Sequence, residues 1–396
     1  MINRRKARYN HPDLPTTISF PRTRAAAFLA ATVLAACSSA AGTSSGSPAT
    51  GTSTSASSSA TNALAGYRVL FTASTINSSE IFLYDSASSA PQQLVSLGSG
   101  PPPEARFISS QKIAYVDSTN QTSARIMSVD LSTRASSTEL SVNGYVPAFA
   151  YSHDGATLAY LVHGTPDGKP SLHVRRGGQE TTLTLNPIPG RGTGRDDEVR
   201  LEFAPDDKYL LMVDTFVGNQ GQAPETGQFL VLRAADNTVA FLPPAGVSAN
   251  ATMATWARHG DRLYYRDQVG VRIWDAGTTS VGTLATALHW YDPAPSSDDS
   301  WLAFTDIDAQ FVPRVRLYDL QHNQAVVTVS APRSHPIFIT ADTIWYLEEQ
   351  PCQSECLAGP SQTSGKVLAY NLKTKSETAL PFSDVHSLTE LAVFSR

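Results

Sequence analysis

Two arginines and two aspartates lie close together in a glycine-rich segment, residues 189–197. Arg191 and Arg195 are separated by Gly-Thr-Gly, and Asp196 and Asp197 follow directly. Guanidinium groups form paired hydrogen bonds with carboxylates, and carboxylate oxygens bind hard cations. The segment could therefore bind a carboxylate or sugar ligand through its arginines, or a cation through its aspartates. The plainer alternative is a solvated loop.

Arg200 and Glu202 follow on a stretch that alternates polar and apolar residues. Leu201 and Phe203 occupy the intervening positions, which is the pattern of a strand with one buried face. Both charged side chains should therefore point to the same side of the strand. They could line a channel and bind a ligand there, or they could pair with each other. An internal salt bridge is the simpler interpretation.

The nine histidines are dispersed, and no pair has the His-x-x-x-His spacing of a metal site. His289, beside Trp290 and Tyr291 at the start of a predicted inner strand, is the one that the pattern places near a channel. No Ser, His and Asp can be assigned as a triad from their order in the chain alone. We expect no metal and no cofactor, and the lack of a catalytic pattern favours a binding protein over an enzyme.

Cys352 and Cys356 are separated by three residues and form the only cysteine cluster. In an exported protein such a pair favours a disulfide that closes a long loop. A zinc site is an alternative, but it would need two further ligands such as His335 and His386, and nothing in the spacing brings them in. A free dithiol is the third possibility.

The N-terminus has the features of a bacterial secretory signal. Arg22 and Arg24 precede an apolar run, residues 25–36, which is too short for the roughly 20 residues that span a bilayer. The run ends in Leu34-Ala35-Ala36-Cys37, which resembles the lipobox, where the cysteine is diacylated and becomes the first residue. We therefore predict lipidation of Cys37, and an ordinary signal peptide with a chance cysteine is the alternative.

Composition divides the chain into three parts. Residues 1–36 are the predicted signal peptide, residues 37–66 are a tether of Ser, Thr, Ala and Gly that cannot bury a core, and residues 67–396 are a globular domain. The signal holds six of the 30 basic and one of the 35 acidic residues, so the remainder has a net charge of −10. Such an acidic chain is a poor candidate for nucleic acid, and the lipid should be its only membrane contact.

A short alternating strand that ends in a polar turn occurs seven times in the domain. Successive copies end 42 to 57 residues apart, a period typical of propeller blades. The copies span residues 81–85, 126–130, 172–176, 229–233, 271–275, 315–319 and 367–371.

Each copy follows a second apolar run, such as residues 112–116 and 158–162, and several of these runs follow an Asp/Gly turn. The unit is therefore a four-stranded meander, A to D, and packing the units around an axis buries their faces. The first unit begins with strand B at Arg68, and residues 388–394 match the other A strands. We predict an all-β, seven-bladed β-propeller of four-stranded antiparallel blades, in which the C-terminal strand is strand A of blade one and closes the ring.

Aromatic residues recur at equivalent positions of these units. We predict that they form the core between blades. They are Tyr115, Tyr160, Tyr265, Phe304 and Tyr346.

The stretch Ser-His-Asp-Gly-x-x-Leu-Ala-Tyr at 152–160, with a variant at 204–211, resembles the WD40-like repeat of TolB-type β-propellers. The same repeat occurs in the propeller domains of prolyl-oligopeptidase-like peptidases. The resemblance covers residues 67–396 and implies a propeller fold, not an activity.

In such a meander the D-to-A and B-to-C links lie on one face, which we call the long-loop face, and the A-to-B and C-to-D turns lie on the other, the tight-turn face. Three long links, residues 186–198, 215–228 and 348–365, lie on the long-loop face, where binding is expected. The leading hypothesis is a membrane-anchored envelope lipoprotein, a monomer, that binds a protein, peptide or glycan on this face. The alternative is an enzyme that acts on extracellular polysaccharide at the mouth of the channel, for which a cluster of His, Arg, Asp and Glu there would be the sign.

Overall fold

The computed structural model describes the following parts of the chain. They are residues 66–74, 78–88, 90–98, 104–120, 122–164, 169–187, 199–215, 217–218, 228–244 with 247, 253–286, 290–329, 331–351, and 361–393 without 383. The predicted signal peptide, Cys37 and the tether up to residue 65 lie outside them. Within these segments the regular structure consists of β-strands, and no helix there is long and apolar enough to cross a membrane.

The strands form seven four-stranded antiparallel sheets, each the blade of a propeller. Blade 1 contains β30 (Val385–Val393), β1 (Tyr67–Ser74), β2 (Ser79–Asp85) and β3 (Gln92–Leu97). Blade 2 contains β4 (Ala105–Ser109), β5 (Lys112–Asn120), β6 (Ser123–Asp130) and β7 (Ser136–Asn143). Blade 3 contains β8 (Phe149–Tyr151), β9 (Thr157–Val162), β10 (Ser171–Arg176) and β11 (Gln179–Thr184).

The remaining four blades have the same order of strands, A to D. Blade 4 contains β13 (Val199–Phe203), β14 (Tyr209–Asp214), β16 (Gln228–Arg233) and β17 (Val239–Phe241). Blade 5 contains β18 (Ala254–Trp256), β19 (Arg262–Arg266), β20 (Val271–Asp275) and β21 (Ser280–Ala285). Blade 6 contains β22 (Trp290–Pro295), β23 (Trp301–Ile307), β24 (Pro313–Asp319) and β25 (Gln324–Thr328). Blade 7 contains β26 (Arg333–Thr340), β27 (Thr343–Pro351), β28 (Ser361–Asn371) and β29 (Ser376–Ala379).

The C-terminal strand closes the ring, as predicted. β30 pairs antiparallel with β1, from Tyr67 opposite Val393 to Ala73 opposite Val385. β30 also contacts the inner strands of both neighbouring blades, β26 and β4. Blade 1 is therefore assembled from the two ends of the propeller domain.

The core consists of seven hydrophobic clusters, one at each junction between neighbouring blades. This arrangement follows from the alternation of the strands, because a blade with two apolar faces must cover both of them. The five aromatic residues that the sequence places in the core are all buried at these junctions. That prediction is confirmed for Tyr115, Tyr160, Tyr265, Phe304 and Tyr346.

The A-to-B turns also connect neighbouring blades. Asp207 in blade 4 accepts hydrogen bonds from the backbone N–H groups of His153 and Asp154 in blade 3, at 2.8 and 3.2 Å. Asp299 in blade 6 accepts in the same way from Arg258 and His259 in blade 5, both at 2.7 Å. Asp207 and Asp299 have positive φ angles of 60° and 53°, a conformation that Asp tolerates better than most residues. The Asp residues of the turns thus stabilise the ring as well as the hairpins.

Two carboxyl groups meet between the A-to-B turns of blades 4 and 5. Burial, and then the neighbouring Asp206 carboxylate, raise the pKa of Asp261 to about 6. The pKa of Asp206 is lowered, because hydrogen bonds from Lys208 and Asp261 outweigh the effect of burial. The folded pair therefore keeps one proton at mildly acidic pH.

This pair predicts a pH-dependent stability. The folded chain holds the proton of Asp261 up to a pH of about 6, whereas an unfolded Asp loses it near 3.8, so the stabilisation is complete below pH 3.8 and is lost as the pH rises to about 6. Asp261→Asn should remove this loss. Relative to wild type, its free energy of unfolding should rise by about 1 kcal/mol as the pH increases from 4 to 7, after an allowance for solvent screening.

Thermal unfolding at several pH values measures the gain. Asp236→Asn is the matched control, because Thr238 holds the pKa of that exposed turn carboxyl below its usual value. Asp236 is therefore ionised in the folded chain throughout pH 4 to 7. The difference in stability between Asp236→Asn and wild type should be constant over that range and should change only below pH 4. A constant difference between Asp261→Asn and wild type across pH 4 to 7 would contradict the prediction.

Candidate functional site

Most of the predicted ligand residues lie outside the described segments. They are Arg191, Arg195, Asp196, Asp197 and His289, together with the cysteines Cys352 and Cys356, and their roles stay predictions. Arg200 and Glu202 are described, on β13. They form an ion pair of 2.8 Å, and Arg200 also donates to the carbonyl of Ala254 in blade 5 at 2.8 Å. The ion pair on β13 is therefore also bonded to β18, the inner strand of blade 5.

The long-loop face is more regular than the sequence indicates. The predicted irregular link 348–365 contains the end of β27 and the start of β28, which pair as far as Pro351 opposite Ser361. The links at 186–198 and 215–228 meet in a two-stranded sheet of β12 (Asn186–Pro187) and β15 (Val217–Gly218). The apolar alternation used to find strands misses these pairs, because the paired ends of β27 and β28 are mostly polar and β12 and β15 are only two residues long.

A polar cluster lies where the inner strands of blades 6 and 7 begin, at the long-loop end of the channel. We call it the channel-mouth cluster, and it consists of Asp292, Thr305, Ser334, His335 and Glu349. The Thr305 hydroxyl accepts from the backbone N–H of His335 at 3.1 Å and donates to Asp292 at 3.3 Å. The His335 Nε2 atom is 3.8 Å from the Asp292 carboxylate. The cluster thus joins the inner strands of two blades.

Hydrogen bonds determine which nitrogen of His335 carries a proton. The Ser334 hydroxyl donates to the Glu349 carboxylate at 2.5 Å, and the His335 Nδ1 atom is 2.9 Å from the same hydroxyl. Since that hydroxyl already donates its proton to Glu349, Nδ1 must be the donor. The other ring nitrogen, Nε2, is the atom nearest the Asp292 carboxylate, and the side chain of His335 is 46% exposed.

The backbone at this cluster is strained in two places. Asp292 and His335 have φ angles of 51° and 53°, and each precedes a proline. Both also lie at irregularities in the pairing of their strands, between Tyr291 and Ala294 in one blade and between Ser334 and Ile337 in the other. Bulges of this kind redirect side chains and are common beside functional sites. The Asp-Pro and His-Pro pairs are the sequence signal that could have indicated this cluster, which sequence reasoning missed.

Two neighbouring B-to-C turns present apolar side chains on the same face. In blade 6, the Asp308 carboxylate accepts from the backbone N–H groups of Gln310 and Val312, both at 2.9 Å, and pairs with Arg314 at 2.9 Å. The tip residue of this turn, Phe311, is 70% exposed. A large apolar side chain is therefore held out into solvent on a rigid turn.

Blade 5 repeats this arrangement. The Asp267 carboxylate accepts from the backbone N–H groups of Val269 and Gly270, at 2.8 and 3.1 Å, and lies 3.4 Å from Arg272. Val269 at the tip is 49% exposed. With Phe311, it gives two neighbouring B-to-C turns an exposed apolar tip on the long-loop face.

The described residues contain no group of three or more His, Cys, Asp and Glu side chains that could hold a metal ion.

Comparisons with known proteins concern the fold. No family model and no curated protein matches the sequence. TolB from Acinetobacter baumannii is 14% identical with a TM-score of 0.44, over 82% of this chain and 66% of TolB. A chain from a structural and mechanistic analysis of two prolyl endopeptidases is 13% identical with a TM-score of 0.50, over 83% of this chain and 50% of that one. This chain thus spans just under two thirds of the first and half of the second. By its fold, the chain is a seven-bladed β-propeller.

Proposed function

We propose that this chain is a membrane-anchored envelope lipoprotein whose propeller binds a protein or peptide on its long-loop face. The observation that carries the proposal is Phe311, a large aromatic side chain held out on a rigid turn. Aromatic residues dominate the binding energy of protein interfaces, and a side chain that is already ordered loses little entropy on binding. Val269 on the next turn extends the apolar surface.

The anchor in this proposal is the lipid on Cys37, followed by the tether of residues 38–66. A flexible chain of that length has a mean reach on the order of 30 Å. Strand β1 begins on the tight-turn face, so the tether would enter there. The long-loop face would then be directed away from the membrane, toward a partner in the envelope.

A photo-crosslinking experiment tests the proposal. A photoreactive phenylalanine analogue at position 311 of the full chain, in cells that produce it, should give one discrete adduct on the long-loop face. The same analogue at Val281, an exposed residue on the outer strand of blade 5, is the matched control and should give none. In the same cells the protein should fractionate with membranes, and Cys37→Ser should not.

The identified partner then allows a quantitative prediction. Phe311→Ser should weaken its binding to the purified partner by about 30-fold or more, which corresponds to about 2 kcal/mol for an anchor residue. Val281→Ser should leave the affinity unchanged, since it lies outside the proposed interface. Equal affinity of wild type and Phe311→Ser, or equal adducts at both positions, would contradict the proposal.

The channel-mouth cluster favours a second candidate, an enzyme that acts on extracellular polysaccharide. The half-exposed imidazole of His335 has its Nε2 atom 3.8 Å from the Asp292 carboxylate, which suits a group that removes or donates a proton. General acid–base catalysis by one side chain contributes about 100- to 10,000-fold. If the chain cleaves an envelope polysaccharide, His335→Gln should lower kcat by about 100-fold or more.

The matched control for this second candidate is His322→Gln. His322 is exposed and pairs with Asp319 at 2.8 Å on the tight-turn face, so its loss should leave cleavage unchanged. Reducing-end or unsaturated-product assays on purified envelope polysaccharides provide the measurement. Equal rates for His335→Gln and His322→Gln would exclude a catalytic role for His335.

A further inference from the structure

A groove of about 340 Å³ lies between blades 2 and 3, away from the channel. One wall is the outer strand of blade 2, β7, and the other is the facing surface of β9, β10 and β11 in blade 3. The wall of blade 3 carries Tyr160, Ser171 and His173, and the wall of blade 2 carries Ser141 and Asn143. The groove shares no residue with the proposed protein interface or with the channel-mouth cluster.

Three side chains in this region form a continuous chain of hydrogen bonds. The Ser171 hydroxyl is 2.9 Å from the Nε2 atom of His173. The Nδ1 atom of the same ring is 3.0 Å from the Glu180 carboxylate. Ser171 and His173 are two residues apart on β10, so they lie on one face of the strand, and Glu180 lies on the neighbouring β11. A hydroxyl, an imidazole and a carboxylate in this order are the parts of an activated nucleophile.

The neighbours of Glu180 keep its carboxylate ionised and hold the ring in place. Burial works to raise the pKa of Glu180, but hydrogen bonds from His173 and Tyr160 outweigh it and hold the pKa below its usual value. An ionised Glu180 accepts a hydrogen bond from Nδ1–H, which leaves the lone pair of Nε2 to accept a hydrogen bond from the Ser171 hydroxyl. The ring of Tyr160 stacks on His173 at 4.8 Å, and its hydroxyl donates to Glu180 at 2.8 Å.

The two reacting groups are covered but lie in the groove wall. Ser171 is 8% exposed, the side chain of His173 is 18% exposed, and both line the groove. The groove therefore meets two of the geometric tests for a covalent catalyst, a hydrogen bond from nucleophile to base and a hydrogen bond from base to an orienting carboxylate.

We propose that Ser171 and His173, positioned by Glu180, hydrolyse esters of short acyl chains with polar alcohols in this groove. The proposal is independent of the binding function above, because it uses other residues on another part of the propeller.

The reaction has two steps. The Ser171 oxygen attacks the ester carbonyl and its proton passes to Nε2 of His173. The ester C–O bond then breaks, and the alcohol leaves with that proton. Water attacks the acyl-Ser171 and gives a proton to Nε2, and the carboxylic acid leaves as Ser171 regains its proton. The ammonium group of Lys169, which also lines the groove, would stabilise the negative charge on the carbonyl oxygen in both steps.

The lining of the groove indicates the substrate class. Val142 and Val162 offer apolar surface that suits a short acyl chain, and Ser141, Asn143 and Thr184 offer hydroxyl and amide groups that suit the hydroxyls of a polar alcohol. A volume of about 340 Å³ is at the small end of ligand pockets. A long acyl chain would therefore exceed the groove.

Labelling with a fluorophosphonate probe, followed by peptide mass spectrometry, tests the nucleophile in the full chain. The adduct should form on Ser171, be absent in Ser171→Ala, and form at least about 100-fold more slowly in His173→Gln. Hydrolysis of p-nitrophenyl acetate should fall in parallel. Glu180→Gln should lower kcat with KM unchanged, and Glu180→Asp should restore part of it, as expected for a residue that positions the base.

The matched control is Ser137→Ala, a serine on β7 that has a carboxylate partner, Glu139, at 3.4 Å. It should be labelled and should hydrolyse the ester as fast as wild type. Thermal unfolding midpoints show whether each variant is folded. If Ser171→Ala does not fold, the position of the adduct in the wild-type protein still tests the proposal. An unlabelled Ser171 in wild type, or equal ester hydrolysis by wild type and a folded His173→Gln, would overturn it.

Discussion

A chain that lacks residues 385–396 should lose cooperative unfolding. β30 is the inner strand of blade 1, and without it β1 becomes an exposed edge strand with unpaired backbone groups. Val385 and Leu388 also leave the cluster between blades 7 and 1, which exposes Tyr67 and Phe71. Three strands would remain in blade 1, and the contacts of β30 with β4 and β26 would be lost. Urea titration followed by tryptophan fluorescence should show a sharp transition for wild type and a broad one for the truncated chain.

Two controls separate closure of the ring from loss of length. Removal of residues 395 and 396 alone should leave the urea midpoint unchanged. A synthetic peptide of residues 385–396, added to the truncated chain, should restore a sharp transition whose midpoint rises with peptide concentration, since binding to the folded state stabilises it. A truncated chain with the wild-type midpoint would show that β30 does not close the ring.

The propeller could be predicted from the sequence because its strands repeat a local pattern. Each of the seven C strands alternates in the same way and ends at a polar residue such as Asp85 or Asp275, so composition and spacing alone locate it. Closure follows from the same pattern, because the first unit lacks an A strand and the last segment supplies one. None of this depends on which residues meet in space.

The contacts between blades could not be predicted in this way. The sequence indicates that Asp207 and Asp299 are hairpin residues, which they are, but their hydrogen bonds to the preceding blade depend on how two blades pack. The same is true of Asp292 and His335, which lie 43 residues apart in sequence and 3.8 Å apart in space. A repeat pattern gives each blade its strands and leaves open which polar side chains meet across the junction.

Ser171 and His173 show a different limit. His173 lies on the predicted strand 172–176 and Ser171 directly precedes it, but a Ser-x-His pair at such a position has no special meaning by itself. The chain of hydrogen bonds arises only because the hairpin between β10 and β11 brings Glu180 to Nδ1 of His173. The register of a hairpin decides which of several nearby polar residues becomes the partner.

Trp345→Ala should strongly destabilise the propeller at the junction of blades 7 and 1. Trp345 on β27 is fully buried, and its ring lies 5.9, 5.7 and 5.6 Å from the rings of Tyr67, Tyr84 and Phe382. Tyr67 and Tyr84 belong to blade 1, so Trp345 packs across the junction where the two ends of the domain meet. Removal of a large buried aromatic side chain costs about 3 to 5 kcal/mol, and we expect this much loss in the free energy of unfolding.

The comparison with Trp345→Phe identifies the cause. Phenylalanine keeps an aromatic ring at the junction and leaves a smaller cavity, so the loss should fall to about 1 to 2 kcal/mol. Because the strands of blade 1 come from opposite ends of the domain, a weaker junction should let β30 separate first. Hydrogen exchange should therefore be faster in β30 and β1 of Trp345→Ala than in the strands of blade 4, on the far side of the ring. Uniform acceleration in all blades would show that the ring opens as one unit and that this junction is no weaker than the others.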